Sequence, residues 1–253
     1  MSKLALDYYD RITGAMKAVR DTQVEAVDRA ASEIASRLEK GGILYAFGSG
    51  HSHMMAEEVY ARAGGLIQAR ALMPHELTVD LDMDKSTLME RTDGLAEIVF
   101  ATHRIRPLDA LLIISNSGRN PVPVQMARIA RERGIFTAAL TNVTHSKAAA
   151  SRDKSGKKLY ELCDVVLDTR GPLGDALVPA PGRDYAVGPA STILGALILE
   201  MLVCAVVETL LDRGIEPALL QSANLDGGDE HNRRAREALR ERFPELRDVF
   251  SVF

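Results

Sequence analysis

Two short stretches of the chain place glycine and hydroxyl-bearing residues directly after apolar runs. The first is FGSGHS, residues 47–52, and the second is IISNSGRN, residues 113–120. Glycine lets the backbone approach a ligand closely, and serine and asparagine side chains donate hydrogen bonds. A turn or a helix cap would explain any one of these residues. The same device at two places indicates a site for an anion such as phosphate, held without a metal.

Both stretches precede a helical pattern. Ser52 is placed to cap a helix over residues 52–63, and its hydroxyl could instead donate to a phosphate oxygen, with Gly50 allowing close approach. Asn120 followed by proline is a strong start for a helix over residues 121–133. Ser115, Asn116 and Ser117 therefore lie just ahead of a helix N-terminus, whose unpaired N–H groups favour an anion.

The common nucleotide motifs do not fit these stretches. The Gly-Lys-Ser/Thr of a phosphate-binding P-loop is absent, and His53 stands where the dinucleotide fingerprint has its third glycine. A lone Gly-x-Gly is weak support for a nucleotide site.

Other polar residues near predicted strand ends are further candidates. Glu58 and Arg62 are four residues apart, which predicts a surface ion pair worth about 0.2–0.5 kcal/mol. Glu58 could equally face the ligand, because its helix begins at the first loop. His51 flanks that loop and Asp175 follows the last predicted strand, so both are candidates for contacts with sugar hydroxyls, with a turn role as the alternative.

A polar cluster, DGGDEHN, precedes a charged helical pattern at residues 226–232. The acids fit a helix start, because negative charge is stabilised at a helix N-terminus. His231 does not fit it, because a cation is disfavoured there. Glu230 and His231 are therefore candidates for chemistry as well as for helix capping.

The apolar runs that carry the two loops predict a parallel sheet. Four clear runs cover residues 43–48, 110–115, 135–141 and 164–169, and a weaker one covers 66–72. Helical patterns lie between them, which indicates an α/β domain with helices on both faces of the sheet. A long helix is predicted over the first forty residues, and the polar residues 144–161 are expected to form a surface excursion.

Composition excludes several classes of function. The net charge of −4 over 253 residues argues against a nucleic-acid surface. The longest uncharged run, residues 185–199, is 15 residues and Glu200 follows it, so a core or interface helix is expected rather than a membrane span. The two cysteines match no disulfide or metal pattern, and no signal peptide is visible, so a cytoplasmic protein is expected.

The two loops together resemble the SIS (sugar isomerase) domain, a phosphosugar-binding family. Its Gly-x-Gly-x-Ser and Ser-x-Ser-Gly motifs are both present, and the resemblance covers about residues 43–169. It is strongest to uncharacterised bacterial proteins that carry a single SIS domain. The resemblance implies a three-layer α/β/α sandwich around a five-stranded parallel sheet, a flavodoxin-like doubly wound fold. The whole chain, 1–253, is then one SIS-type domain, with an N-terminal helix (1–40), an α/β core (41–215) and a C-terminal helical extension (216–253).

The same resemblance implies the ligand and its contacts. A sugar phosphate would be bound by the following residues: Ser52, Ser115, Asn116, Ser117 and Asn120, the last standing where many members have threonine. Heptose-phosphate isomerases of the family carry metal-binding His and Glu on the helix after the first loop. That helix here offers Glu57, Glu58 and Arg62, so neither a metal nor another cofactor is expected.

Three functions remain open from the sequence. The first is a sugar-phosphate isomerase, or a related enzyme that moves a proton next to the sugar carbonyl. The others are a non-catalytic phosphosugar sensor and a lyase acting on an amino-sugar phosphate. Related isomerases use a carboxylate and a histidine, the histidine sometimes from a neighbouring subunit. Glu230 and His231 are the catalytic candidates on this basis, with Glu58 as the alternative base.

A homodimer or a higher homo-oligomer is also expected. The apolar stretch 193–211 and the long N-terminal helix offer more apolar surface than one sheet face needs.

Overall fold

A five-stranded parallel sheet forms the centre of the molecule. The computed structural model describes residues 2–80 and 82–246. The strands of this sheet are β1 (Leu44–Gly48), β2 (Ala69–Leu72), β3 (Ala110–Ile114), β4 (Phe136–Thr141) and β5 (Val165–Asp168). Their order across the sheet is β2-β1-β3-β4-β5. The four clear strand predictions are confirmed, and the weaker run forms a strand only over its last four residues.

Helices cover both faces of the sheet. Within the described residues they are α1 (Lys3–Leu38), α2 (His53–Val59), α3 (Met83–Glu90), α4 (Leu95–Thr102), α5 (Pro121–Glu132), α6 (Val143–Lys147), α7 (Leu159–Leu162), α8 (Ser191–Asp212) and α9 (Gly228–Arg242). One buried cluster joins the sheet to α1, α2 and α8, and a second joins it to α4, α5 and α9. The predicted three-layer α/β/α architecture and the long N-terminal helix are therefore confirmed.

The direction of winding reverses between β1 and β3. The chain leaves β1 towards β2 on one side and returns to β3 on the other, and all three strands are parallel. Gly48, the last residue of β1, is in register with Ile114, the last residue of β3. The loops after these strands therefore start side by side at the carboxyl edge, where ligands bind in open α/β sheets.

The structure also contains a small antiparallel hairpin that the sequence patterns did not predict. Its strands are β6 (Ala176–Pro179) and β7 (Ala186–Pro189), each four residues long and partly exposed. Short strands that contain proline and glycine give little periodic signal. The Tyr8 hydroxyl donates to the Pro189 carbonyl at 2.8 Å and holds the hairpin against α1.

Helix α8 is the apolar segment that the sequence analysis assigned to a core or an interface. By length and composition it is apolar enough to cross a membrane, and 44% of its most apolar window is buried inside the protein. Its buried side chains, among them Leu194, Ile198 and Leu202, pack in the cluster shared with α1 and the sheet. Packing in the protein core accounts for this apolar face.

Part of the apolar surface of α1 and α8 is not buried by the rest of the chain. Tyr9 and Val24 on α1 and Ile193 and Leu211 on α8 are exposed. Exposed apolar side chains of this kind are available for contact with a second copy of the chain. The homo-oligomer stays a prediction.

Candidate functional site

The first loop turns sharply because two glycines permit it. After β1 the chain enters a 3₁₀ turn over Gly50–Ser52 and continues directly into α2. A Cβ at Gly48 would overlap the backbone carbonyl of Ser52, and Gly50 has a φ of +56°. Ser52 is the N-cap residue of α2, as predicted, but its side chain makes no capping bond. Its hydroxyl is therefore not used to satisfy the helix.

The second loop is fixed by bonds to the neighbouring strand. The Ser115 N–H donates to the Leu140 carbonyl at 3.0 Å, and the Asn142 N–H donates to the Asn116 carbonyl at 3.1 Å. The Gly118 N–H closes the turn by donating to Ser115 Oγ at 3.2 Å. These bonds hold the loop backbone in place, and Asn116 and Ser117 both line a cavity beside it.

The two loops meet in one polar cavity of about 230 Å³. We refer to this cavity as the serine pocket. The residues that line it are Ser49, His51, Ser52, Met55, Glu90, Ser115, Asn116, Ser117, His145, Asp175 and Ser191. The structure therefore brings together most of the residues that the sequence analysis selected for phosphate and sugar contacts.

Several donors in the serine pocket are free to bind a ligand. In the described part of the chain, the Ser52 and Ser117 hydroxyls and the Asn116 side-chain amide have no hydrogen-bond partner. Ser115 Oγ only accepts from Gly118, so its O–H can still donate. Three hydroxyls and an amide are sufficient for the oxygens of a phosphate.

The N-terminus of α5 offers fewer N–H donors than the sequence suggested. Prolines occupy its first and third positions, Pro121 and Pro123, and proline has no N–H. Val122 is left as the one N–H donor among these three residues. The loop at 115–118 therefore offers more hydrogen-bond donors to the cavity than the start of α5 does.

Glu90 is a pocket residue that the sequence analysis missed. It is the last residue of α3 and lies in the polar segment MDKSTLMERTD, where nothing distinguishes it from a surface glutamate. Its carboxylate accepts from Ser49 Oγ at 2.8 Å and from Asn120 Nδ2 at 2.6 Å. Both donors are neutral, and among the described residues no ion pair involves Glu90.

Asn120 does not line the serine pocket, and its expected phosphate role stays a prediction. It is the N-cap residue of α5 and is 6% exposed. Its amide is used on both sides, because Nδ2 donates to Glu90 and Oδ1 accepts from Arg152 Nη1 at 3.0 Å. In this position Asn120 links the Glu90 carboxylate to the Arg152 guanidinium.

Asp175 lies in the pocket under backbone strain. Its φ of +75° is unusual for a residue other than glycine. The carboxylate accepts from the Ser191 N–H and hydroxyl, both at 2.8 Å, and from the Ala190 N–H at 3.2 Å. Three bonds to the start of α8 leave the carboxylate able to accept about one further hydrogen bond. His51 lines the pocket from an exposed position.

Glu58 does not line the serine pocket. It pairs with Arg62 Nη1 at 2.8 Å, as the four-residue spacing predicted. It also lies beside Glu200 of α8, whose carboxyl pKa is raised mainly by burial and then by the Glu58 charge. Glu58 therefore belongs to the contact between α2 and α8, where its neighbours are Arg62 and Glu200.

Glu230 and His231 lie outside the serine pocket of the same chain. Hydrogen bonds from Arg233 and Arg234 lower the pKa of Glu230, which disfavours it as a proton acceptor near neutral pH. His231 Nε2 donates to the Leu219 carbonyl at 3.1 Å and ties the start of α9 to the preceding segment. That bond is a structural reason for a histidine at this helix start.

His231 instead borders a larger, mostly apolar groove of about 830 Å³ between α9 and residues 216–222. The surface of this groove is mostly apolar, whereas the smaller serine pocket combines free donors with carboxylates. In residues 2–80 and 82–246, no group of three or more His, Cys, Asp or Glu side chains is arranged to hold a metal ion.

Replacing Gly48 with alanine is expected to destabilise the protein by about 3 kcal/mol. The added Cβ meets backbone atoms of Ser52, which no side-chain rotation can relieve. Gly50→Ala is the matched control, because its Cβ enters open space and only the positive φ costs about 1 kcal/mol. Urea unfolding measures both. Equal losses for the two variants would contradict this account of the first loop.

Comparison with known proteins agrees with the geometry of the two loops. A family model described as the SIS domain matches residues 7–142. A UPF0309 protein of Halalkalibacterium halodurans is 40% identical over 92% of this chain and 96% of its own length. A UPF0309 protein of Streptomyces griseus is also 40% identical, over 95% of this chain and 97% of its own.

Two solved structures share the fold at low identity. A phosphoheptose isomerase from Francisella tularensis superposes with a TM-score of 0.54 at 19% identity, over 82% of this chain and all of its own. The NanR protein of Vibrio vulnificus, complexed with ManNAc-6P, gives a TM-score of 0.50 at 13% identity, over 94% of this chain and 69% of its own.

Proposed function

Because this chain belongs to the SIS-domain family, we propose that it binds a sugar phosphate in the serine pocket. The observation that carries the proposal is the meeting of two serine loops at the winding reversal of the sheet, with free hydroxyls in one cavity. The phosphate lies against Ser52, Ser115, Asn116 and Ser117, and the sugar extends towards Glu90, His51 and Asp175. The described fold is compatible with one SIS-type domain over the whole chain.

The proposed reaction is isomerisation by proton transfer next to the sugar carbonyl. Such a reaction needs a carboxylate that reaches the substrate and is free to take up a proton. Glu230 and Glu58 are each paired with arginine, whereas Glu90 accepts only from Ser49 and Asn120. Glu90 therefore replaces them as the proposed base. The shared fold with a phosphoheptose isomerase supports this choice of reaction class.

A non-catalytic sensor is the second candidate. The fold shared with NanR, whose solved structure contains ManNAc-6P, is the observation that favours it. A lyase acting on an amino-sugar phosphate would use the same pocket. All three functions require the same phosphate cradle, and they differ in what happens to the bound sugar.

A ligand panel tests the proposal and separates the candidates. Hexose, ketose and amino-sugar phosphates are expected to raise Tm, by roughly 5–10 °C at about 100 times Kd, because they bind only the folded state. The unphosphorylated sugars are the controls. The ligands that bind are then incubated in D₂O, and NMR follows exchange of the proton at C2 of an aldose or at C1 of a ketose. Exchange supports an isomerase, loss of the C2 or C3 substituent supports a lyase, and binding alone supports a sensor.

A further inference from the structure

A histidine from a segment expected to be a surface excursion lines the serine pocket. His145 lies on α6, directly after β4, and is half-buried. The polar stretch around it predicted a solvated loop, but Ser146 and Leu159 within that stretch are fully buried. His145 therefore belongs to a packed part of the molecule, and its ring position is defined by neighbours.

The hydrogen bonds of His145 specify which ring nitrogen carries the proton. The Gly174 N–H donates to His145 Nδ1 at 3.0 Å. A backbone N–H can only donate, so Nδ1 must be the acceptor and carry no proton. In the neutral ring the proton then lies on Nε2. No hydrogen bond to Nε2 occurs within the described residues, so this N–H is available to a ligand.

Asn142 fixes the geometry of this arrangement. Its Oδ1 accepts from the His145 N–H at 2.9 Å, which caps α6. Its Nδ2 donates to the Pro172 carbonyl at 3.1 Å, in the loop that carries Gly174. One buried side chain thus holds both partners of the Gly174–His145 bond, and the donor is oriented before a ligand binds.

We propose that His145 is a catalytic residue that acts as a neutral hydrogen-bond donor, through Nε2–H, to the oxygens at C1 and C2 of the sugar phosphate. This inference rests on the proposed isomerase function. The Glu90 carboxylate takes the proton from C2 and returns it to C1. The Nε2 proton passes to O1 while the O2 proton passes to Nε2, so an aldose becomes a ketose and both side chains return to their starting state.

The tautomer of His145 is the first test and needs no substrate. Long-range ¹⁵N–¹H correlation on the full chain labelled with ¹⁵N-histidine is expected to show a bare Nδ1 and a protonated Nε2 for His145, assigned by its loss in His145→Gln. His103 is the internal control for the opposite tautomer, because its Nδ1 lies 2.8 Å from the Val99 carbonyl and must donate. A proton on His145 Nδ1 overturns the proposal.

The second test measures turnover with a substrate from the ligand panel. His145→Ala is expected to lower kcat by at least about 100-fold with KM within threefold, and His145→Gln, which keeps an N–H donor, to recover part of it. His103→Ala is expected to keep wild-type kcat. An unchanged kcat in His145→Ala overturns the inference and leaves phosphosugar binding intact.

The remaining outcomes are also decisive. If a panel ligand binds without turnover, catalysis by His145 is refuted and the sensor function stands. If no sugar phosphate binds, the proposed function fails, and this inference fails with it.

Discussion

Glu90→Gln is expected to lower the turnover of a sugar phosphate by 10² to 10⁴-fold while the substrate still binds. The amide can keep hydrogen bonds to its neighbours but cannot accept the proton from C2. Glu90 enters the serine pocket with two neutral partners, Ser49 and Asn120. Stopped or continuous assays give kcat, and titration calorimetry gives affinity separately.

Glu58→Gln and Glu230→Gln are the comparison variants for this experiment. Both carboxylates are bound to arginines outside the serine pocket, so turnover is expected to stay within threefold of wild type. Abolished turnover in Glu58→Gln together with normal turnover in Glu90→Gln would contradict the assignment of the base. Loss of turnover in Glu230→Gln would instead favour a site that the C-terminal cluster of a neighbouring subunit completes.

Ser117→Ala is expected to weaken sugar-phosphate binding by about 1.5–3 kcal/mol, or roughly 10- to 150-fold. The hydroxyl has no partner within the described residues, so its loss removes a donor to a charged group without disturbing the loop. Titration calorimetry measures the affinity. Ser32→Ala, at an exposed position on α1, is the control and is expected to bind as wild type does.

The fold was predictable because its signals are local. Runs such as residues 110–114 are apolar throughout and become strands buried on both faces, and Asn120-Pro121 begins a helix as its chemistry indicates. The hairpin of β6 and β7 was not predictable in the same way. Its strands are short, partly exposed and interrupted by glycine and proline.

The serine loops were predictable because the glycines and serines of each motif lie within six consecutive residues. Ser52 and Ser117 follow directly from the motif, and their strands are adjacent in the sheet. Glu90 and His145 had no such signal. Each reaches the pocket from a polar segment that is far along the chain from the motifs, and only the packing of α3 and α6 places it there.

Asn120 makes contacts that its motif does not indicate. Its place in the family pattern implies a phosphate ligand, but its amide bonds to Glu90 and Arg152. Both partners are distant in sequence, by 30 and 32 residues, so no local pattern could have identified them. In the C-terminal cluster, helix capping did not explain why a histidine stands at position 231. The structure gives a reason, because the His231 side chain bonds to the Leu219 carbonyl.

Titration calorimetry of one sugar with and without its phosphate directly tests whether the serine pocket binds phosphate. The phosphorylated sugar is expected to bind at least about 100-fold more tightly, because the charge-assisted bonds of the serine loops are made only to phosphate. Ser117→Ala is expected to remove most of this difference in affinity. Equal affinity for the two sugars, or a preference for the phosphate that Ser117→Ala leaves unchanged, would contradict the assignment of the serine pocket.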